Sequence, residues 1–426
     1  MGMIRRGLAL LLGRRDFGLL MGAQWMAQAG DGIVQAALAK FVVFGGQRGF
    51  DLEGAKSPDE LLRIALYIFV PYTVLSPFLG VVIDRWDRRR LLFVANGLRA
   101  VVVLLIGLVG TGAAGDLALF VAFLLTLTST RIVLATKSAA LPETVEGSSL
   151  VEANAVSQLG GAMFQLAGGG AGFIATRFIA VEPVVIVGAL VYGAGAVFAL
   201  GIKRAGAARS EASFSEELAG VLGRIGAGFR EVARTPRAAA SILTYFWLRL
   251  LWSYSLVGIG FVARELVSTD LLVLVITGGA GALGAVLGYV SAEKAGAVAR
   301  SSGRVVIAAA LLLGTAVSLL GAFQSRVALG LLTFFLGYGF FLAKISLDSM
   351  VQEALEDGFR GRAFSLYDIA YNLAWVLAAG AMKLLWDEDS QGALIAGMGV
   401  VFLVGMGGIA LWFHRAALLS PAPAAR

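Results

Sequence analysis

The chain has 426 residues, of which 58% are hydrophobic, 56 are glycine and only 15% are charged. Soluble domains carry about a quarter charged residues and about half apolar ones with glycine included, so the apolar surplus here has to face lipid. That content excludes disorder, and the missing G-X-Y period and the absence of cysteine exclude a collagen and a disulfide-built secreted fold.

In chain order, Arg5 and Arg6 precede a short apolar run ending at Gly13, and Arg14, Arg15 and Asp16 follow at once. With no A-x-A cleavage site directly after that run, residues 1–16 read as a retained basic lead-in and not as a signal peptide. Apolar stretches then predict spans at 17–44, 61–83, 91–112, 117–136, 151–176 and 183–202. A second set follows at 238–262, 271–291, 305–323, 327–347, 363–385 and 393–413. With the N-terminus placed in the cytoplasm, 23 of the 35 Lys and Arg residues fall on that side, six on the other, counting Arg63 at the start of the second span, and six inside spans. This is the positive-inside bias. It puts both termini in the cytoplasm and makes the +7 net charge a topology signal with no nucleic-acid meaning.

The longest hydrophilic stretch, Lys203 to Arg237, divides the spans into six and six, which sets the expected organisation: a bundle over 1–202, a linker over 203–237 and a bundle over 238–426. Inside the linker, Phe214, Leu218, Val221, Leu222, Ile225, Phe229 and Val232 recur at helical spacing, predicting an amphipathic helix on the cytoplasmic face. The halves echo each other: Leu79-Gly80 matches Leu287-Gly288, and Pro142-Glu143 matches Gln352-Glu353. Two such repeats, with the substrate site near the midplane, are the architecture of a secondary transporter. The expected fold class is an all-α membrane protein of twelve transmembrane helices in two pseudo-symmetric six-helix bundles.

Polar groups inside spans locate the candidate pathway, because a charge at a helix centre costs about 2.5–3.5 kcal/mol on insertion scales. In the first span Gln24, Gln28, Asp31 and Gln35 step by four, three and four, which lines one helix face and predicts a water-accessible wall. Asp31 has two readings: a proton or cationic-substrate site, or a structural partner for an intramembrane arginine. Gln158 shares a face of the fifth span with Asn154 and Gln165. Tyr245, Arg249 and Trp252 share one on the seventh, and Ser365, Asp368 and Asn372 share one on the eleventh. Arg249 and Asp368 are expected to form a buried pair or to contact substrate. Arg99 and Arg131 are expected to be neutralised by carbonyls or by Asp84 or else to act as substrate ligands, Arg131 being counted with the candidate pathway, and Lys40, Lys344 and Lys383 are expected to snorkel from span ends.

Gly80-Val-Val-Ile-Asp84-Arg85-Trp-Asp-Arg88-Arg89-Arg90 resembles the G-x-x-x-D-R-x-G-R-R/K signature of the major facilitator superfamily, with Asp87 in place of the second glycine. Gly30-Asp31, Ala140-Leu-Pro142-Glu143, Ala153-Asn154-Ala155 and Arg360-Gly361-Arg362 are similar to the bacterial branch of siderophore and drug exporters that includes the enterobactin exporter. Ala95-Asn96-Gly97-Leu98-Arg99 and Leu150-Val-Glu-Ala-Asn154 are similar to bacterial lysophospholipid transporters of the same superfamily. The resemblance implies the major facilitator fold, alternating access, a location in the bacterial inner membrane, and a gating role for Gly80, Asp84, Arg85 and Arg88. Leu127-Thr-Ser-Thr-Arg131 matches only the start of the fourth-span proton-coupling motif, and Gly161 to Gly170 lacks the Gly-Pro of the antiporter motif, although its glycines keep a close-packing face.

An enzyme is not expected: His414 is the only histidine, cysteine is absent, and no P-loop is present, so neither a metal site nor a cofactor is implied. The expected function is secondary-active export of an amphipathic small molecule, proton-coupled through Asp31, by a monomer among membrane lipids. The alternatives are a lysophospholipid flippase working through a lateral opening, and a non-transporting membrane scaffold.

Overall fold

The computed structural model describes residues 9–44, 58–75, 78, 86–110, 115–146, 149–203, 214–267, 272–355 and 357–419, and among these there is no strand. The long helices are α1 (Arg15–Phe44), α2 (Pro58–Leu75), α3 (Arg88–Val109), α4 (Gly115–Thr144), α5 (Leu150–Phe178), α6 (Val181–Gly201), α7 (Phe214–Arg234), α8 (Pro236–Val267), α9 (Leu272–Ala299), α10 (Ser302–Leu320), α11 (Arg326–Ala354), α12 (Asp357–Leu385) and α13 (Gln391–Arg415). Twelve of them correspond to the predicted spans, and α7 is the predicted amphipathic linker helix. Backbone groups in lipid must be paired within the element, which is why helices account for every span. Eight of the twelve are long and apolar enough to cross a bilayer by composition alone: α3, α4, α6, α8, α9, α10, α11 and α13.

The ends depart from expectation in one consequential place. The fourth span was expected to stop at residue 136, yet α4 runs through Pro142 to Thr144. Lys137, which the topology count assigned to a loop, therefore sits inside the helix and is only 3% exposed.

The chain forms two compact units. Unit 1 comprises 1–57 and 74–219, and unit 2 comprises 58–73 and 220–426. The first part of α2 thus packs with unit 2, where Leu62 lies in a cluster with Tyr254, Phe261, Ala378, Ala379 and Met382 and Asp59 pairs with Lys383 at 3.3 Å.

Unit 1 has two apolar cores stacked along α1. One gathers Phe17, Leu20, Met21, Ala23 and Ala27 with Leu92, Ala95, Val133, Ala140 and Val156. The other gathers Val34 and Ala37 with Val103, Val184, Val185, Ala189 and Tyr192. Asp31 falls between them. The α1–α5 contact depends on small residues: a Cβ on Gly172 would lie 2.8 Å from the carbonyl oxygen of Ile33, so only glycine lets the two backbones meet there. Gly170, on the same helix, would meet nothing within 4 Å.

Unit 2 is built around the larger core, with α8, α10, α11 and α13 contributing Leu248, Leu251, Val306, Leu313, Leu332, Leu336, Phe402 and Met406. Val232 of α7 joins the same cluster, which ties the linker helix down by its apolar stripe and leaves Phe229 64% exposed.

Candidate functional site: a buried ion pair in unit 1 and a caged arginine in unit 2

The centre of unit 1 is a polar network between the two apolar cores. Asp31 of α1 and Arg99 of α3 form a salt bridge of 2.9 Å, with side chains 2% and 0% exposed. Three further groups complete it. Tyr192 of α6 donates its hydroxyl to Oδ1 of Asp31 at 2.7 Å, and Thr130 of α4 lies 3.0 and 3.1 Å from the two carboxylate oxygens. Arg99 also donates to Thr130 Oγ1 at 3.1 Å and to the Asn96 carboxamide oxygen one turn earlier on α3. The guanidinium lies 4.5 Å from the Tyr192 ring centroid. One carboxylate thereby links α1, α3, α4 and α6, because a buried charge is tolerated only when paired and hydrogen-bonded.

The local sequence makes room for this. A Cβ on Gly30 would lie 2.7 Å from Tyr192 Cδ1, so the Gly30-Asp31 pair lets the ring approach the backbone just before the residue its hydroxyl reaches. Next along the α1 stripe, Gln24 is 2% exposed, donates to Gln28 Oε1 at 2.8 Å and to the Ser157 carbonyl at 3.0 Å, and accepts from Ser157 Oγ at 2.8 Å. The stripe is therefore not uniformly a water-accessible wall: Gln24 and Asp31 are enclosed by neighbouring helices, while Gln28 and Gln35 are half-buried. Of the α5 residues, Asn154, Gln158 and Gln165 are exposed on unit 1, and Arg131 on α4 is half-buried.

At the end of unit 1 where α1 and α3 begin, Arg88 pairs with Glu143 and Arg14 with Glu146. The departure of the signature at Asp87 has a local cause: Asp87 is the N-cap of α3, and its carboxylate accepts from the Arg90 amide at 2.9 Å, the interaction an N-cap aspartate supplies. Gly80, Asp84 and Arg85 of the gating signature lie outside the described residues.

In unit 2 the equivalent feature is Arg249 of α8, 3% exposed. Its guanidinium carbon lies 3.8 Å from the Tyr371 ring centroid, 4.2 Å from Trp252, and 5.5 Å from both Phe340 and Trp375. Tyr245, one turn before it, stacks on Tyr367 at 3.8 Å and lies 6.5 Å from Tyr371. Such an aromatic cage offsets part of the desolvation of a buried cation. Asn372, the residue after Tyr371 on α12, is buried. The side chain of Asp368, the expected partner of Arg249, lies outside the described residues, as does that of Lys40. Lys344 does not simply snorkel: it pairs with Asp348 at 2.6 Å. Lys383, also expected to snorkel, pairs with Asp59 as described above.

Two units of long apolar helices, each enclosing a buried charged or aromatic polar group, define a multi-pass membrane transporter. Residues 54–379 match the model of the Major Facilitator Superfamily, and the chain belongs to that family. An uncharacterised MFS-type transporter of Mycobacterium tuberculosis (strain ATCC 25618 / H37Rv) is 27% identical over 414 residues, covering 92% of this chain and 90% of its own length. A protein of the same description from Mycobacterium bovis gives the same figures. Among solved structures, the peptide transporter POT in complex with sulfate superposes with a TM-score of 0.69 at 14% identity, covering 96% of each chain. A mutant of the nucleoside transporter NupG gives 0.68 at 12% identity, covering 94% of this chain and 99% of its own. Family membership makes the chain a transporter and not an enzyme.

Sequence reasoning identified Asp31 and offered pairing with an intramembrane arginine as one of its two readings, without naming Arg99 as that arginine. Arg99 was expected to be neutralised by carbonyls or Asp84, and Thr130 and Tyr192 had no role. Of these, Arg99 and Thr130 sit in recognisable motifs, whereas Tyr192 lies in an otherwise apolar span that carries no signal in its own sequence.

Proposed function

We propose that this protein is a secondary-active exporter of an amphipathic small molecule, working by alternating access in the bacterial inner membrane with both termini cytoplasmic and coupled to protons at Asp31. The observation that carries this reading is the single buried carboxylate shared by four helices. A proton on Asp31 removes its attraction for Arg99, so binding or losing that proton is a local event that changes how α1 is held against α3, α4 and α6. Ionisable residues at membrane depth mark ion and substrate pathways, and the exporter-like motifs around Gly30-Asp31 and Ala140 to Glu143 support the direction. The lysophospholipid-transporter-like motifs at Ala95 to Arg99 and Leu150 to Asn154 support the competing lipid reading.

Purified protein in liposomes, given an imposed pH gradient and either a fluorescent fatty carboxylate or a fluorescent lysophospholipid, separates the two. The wild type is expected to move the carboxylate in proportion to the gradient, and Asp31→Asn to lose that dependence. Gradient-driven transport surviving in Asp31→Asn removes the coupling role. Movement of the lysophospholipid without any gradient replaces the exporter reading by the lipid one.

A further inference from the structure

Lys137 is a buried cation that the mechanism above does not use. It lies on α4, only 3% exposed, seven residues past Thr130 and so on the same helix face, about 10.5 Å nearer the end of unit 1 where α1 and α3 begin. Among the described residues its ammonium group has no hydrogen bond, salt bridge or aromatic ring against it. Nζ of Lys137 is not among the unpartnered nitrogens of unit 1 that are closed to solvent, so the ammonium keeps a narrow contact with solvent through which an acceptor can reach it, and a cation at this depth without a fixed partner favours one.

Other buried polar atoms of unit 1 are unpartnered as well, the Thr136 hydroxyl beside Lys137 among them. Asn96 Nδ2 and Arg99 Nε are buried without a hydrogen-bond acceptor among the described residues. Asn96 lies one turn from Arg99 toward the same end of the unit as Lys137. Asp31, the carboxylate of this region, is already taken by Arg99, Tyr192 and Thr130. Among the described residues of unit 1 the buried cations are Arg99 and Lys137 and the buried anion is Asp31, and Asn96 Nδ2 and Arg99 Nε lack acceptors. Buried donors without acceptors are each costly, and a ligand that is itself an acceptor removes that cost.

We infer that Lys137 is the pairing cation for an anionic oxygen head group, a carboxylate or a phosphate, of an amphipathic substrate entering unit 1 from the end where α1 and α3 begin. Asn96 supplies a further donor to the same group. The inference rests on the transport reading for its physiological meaning but not for its test, which is a binding measurement.

Purified protein in neutral maltoside micelles is titrated with dodecyl phosphate, dodecanoate and dodecyltrimethylammonium, followed by tryptophan fluorescence. The wild type is expected to bind at least one of the two anions more tightly than the cation of equal chain length. Whichever anion binds more tightly tells a phosphate head group from a carboxylate. Lys137→Met is expected to weaken the preferred anion roughly tenfold to a hundredfold, the loss of one charge-assisted hydrogen bond, while Lys137→Arg keeps the preference. A wild type that binds the cation as tightly as both anions, or a Lys137→Met protein that keeps the anion preference, overturns the assignment. Should Lys137→Met fail to fold, the comparison within the wild type and with Lys137→Arg still decides. Transport assayed in parallel separates the failures: transport without anion preference sinks this inference alone, and anion preference without transport sinks the transport reading alone.

Discussion

Neutralising Asp31 and Arg99 singly and together measures what their pair contributes. The two side chains are 2% and 0% exposed and meet at 2.9 Å, so neither retains bulk solvation when its partner is removed. Breaking a buried pair from one side typically costs about 3–5 kcal/mol, because the remaining charge is left uncompensated. Asp31→Asn strands the Arg99 guanidinium and leaves it only the Thr130 and Asn96 oxygens and the Tyr192 ring. Arg99→Gln strands the carboxylate with two hydroxyl donors. The double variant Asp31→Asn with Arg99→Gln holds no charge at the site, and its loss is expected to resemble that of one single variant. The coupling energy should then approach the upper end of the range for residues in direct contact, about 3 kcal/mol. Reversible unfolding in mixed micelles, with all four proteins at the same pH and lipid content, gives the three free-energy differences. Losses that simply add, to within about 0.5 kcal/mol, would show that the two groups do not depend on each other and would refute the idea that Arg99 is what makes Asp31 tolerable in the bundle.

Two further outcomes test other parts of the structure. Gly172→Ala places a Cβ 2.8 Å from a backbone oxygen of α1 and is expected to cost about 1–3 kcal/mol in unfolding measurements, the range for overpacking, whereas Gly170→Ala, open on all sides, should be neutral; equal effects would remove the close-packing role of that face. Arg249→Lys keeps the charge but loses the planar stacking on Tyr371 and Trp252, so it is expected to lower thermal stability and to change the tryptophan emission. A spectrum and melting point unchanged from the wild type would mean that the aromatic cage does not hold the guanidinium.

Much of the architecture was legible before any coordinate. Hydrocarbon admits only backbone whose polar groups are paired internally, which for an apolar run of about 20 residues means a helix, so the apolar runs announced the twelve spans. The 3.6-residue period put Gln24, Gln28, Asp31 and Gln35 on one face, and the stepping of Phe214 to Val232 predicted α7. These are local or one-dimensional properties, and the chain carries them wherever its helices end up. Which helix faces which is another matter. Arg99 is 68 positions from Asp31 and Tyr192 is 161 positions away, and nothing in the spacing of either residue singles it out as the partner. The choice was made by packing: Gly30 opens space for one ring, and two apolar cores close on either side of the carboxylate. Lys137 shows the same limit from the other direction. As a letter near the end of an apolar run it counted as loop charge, and only the extension of α4 to Thr144, with the cores of unit 1 around it, turned it into a buried cation without a counter-ion among the described residues.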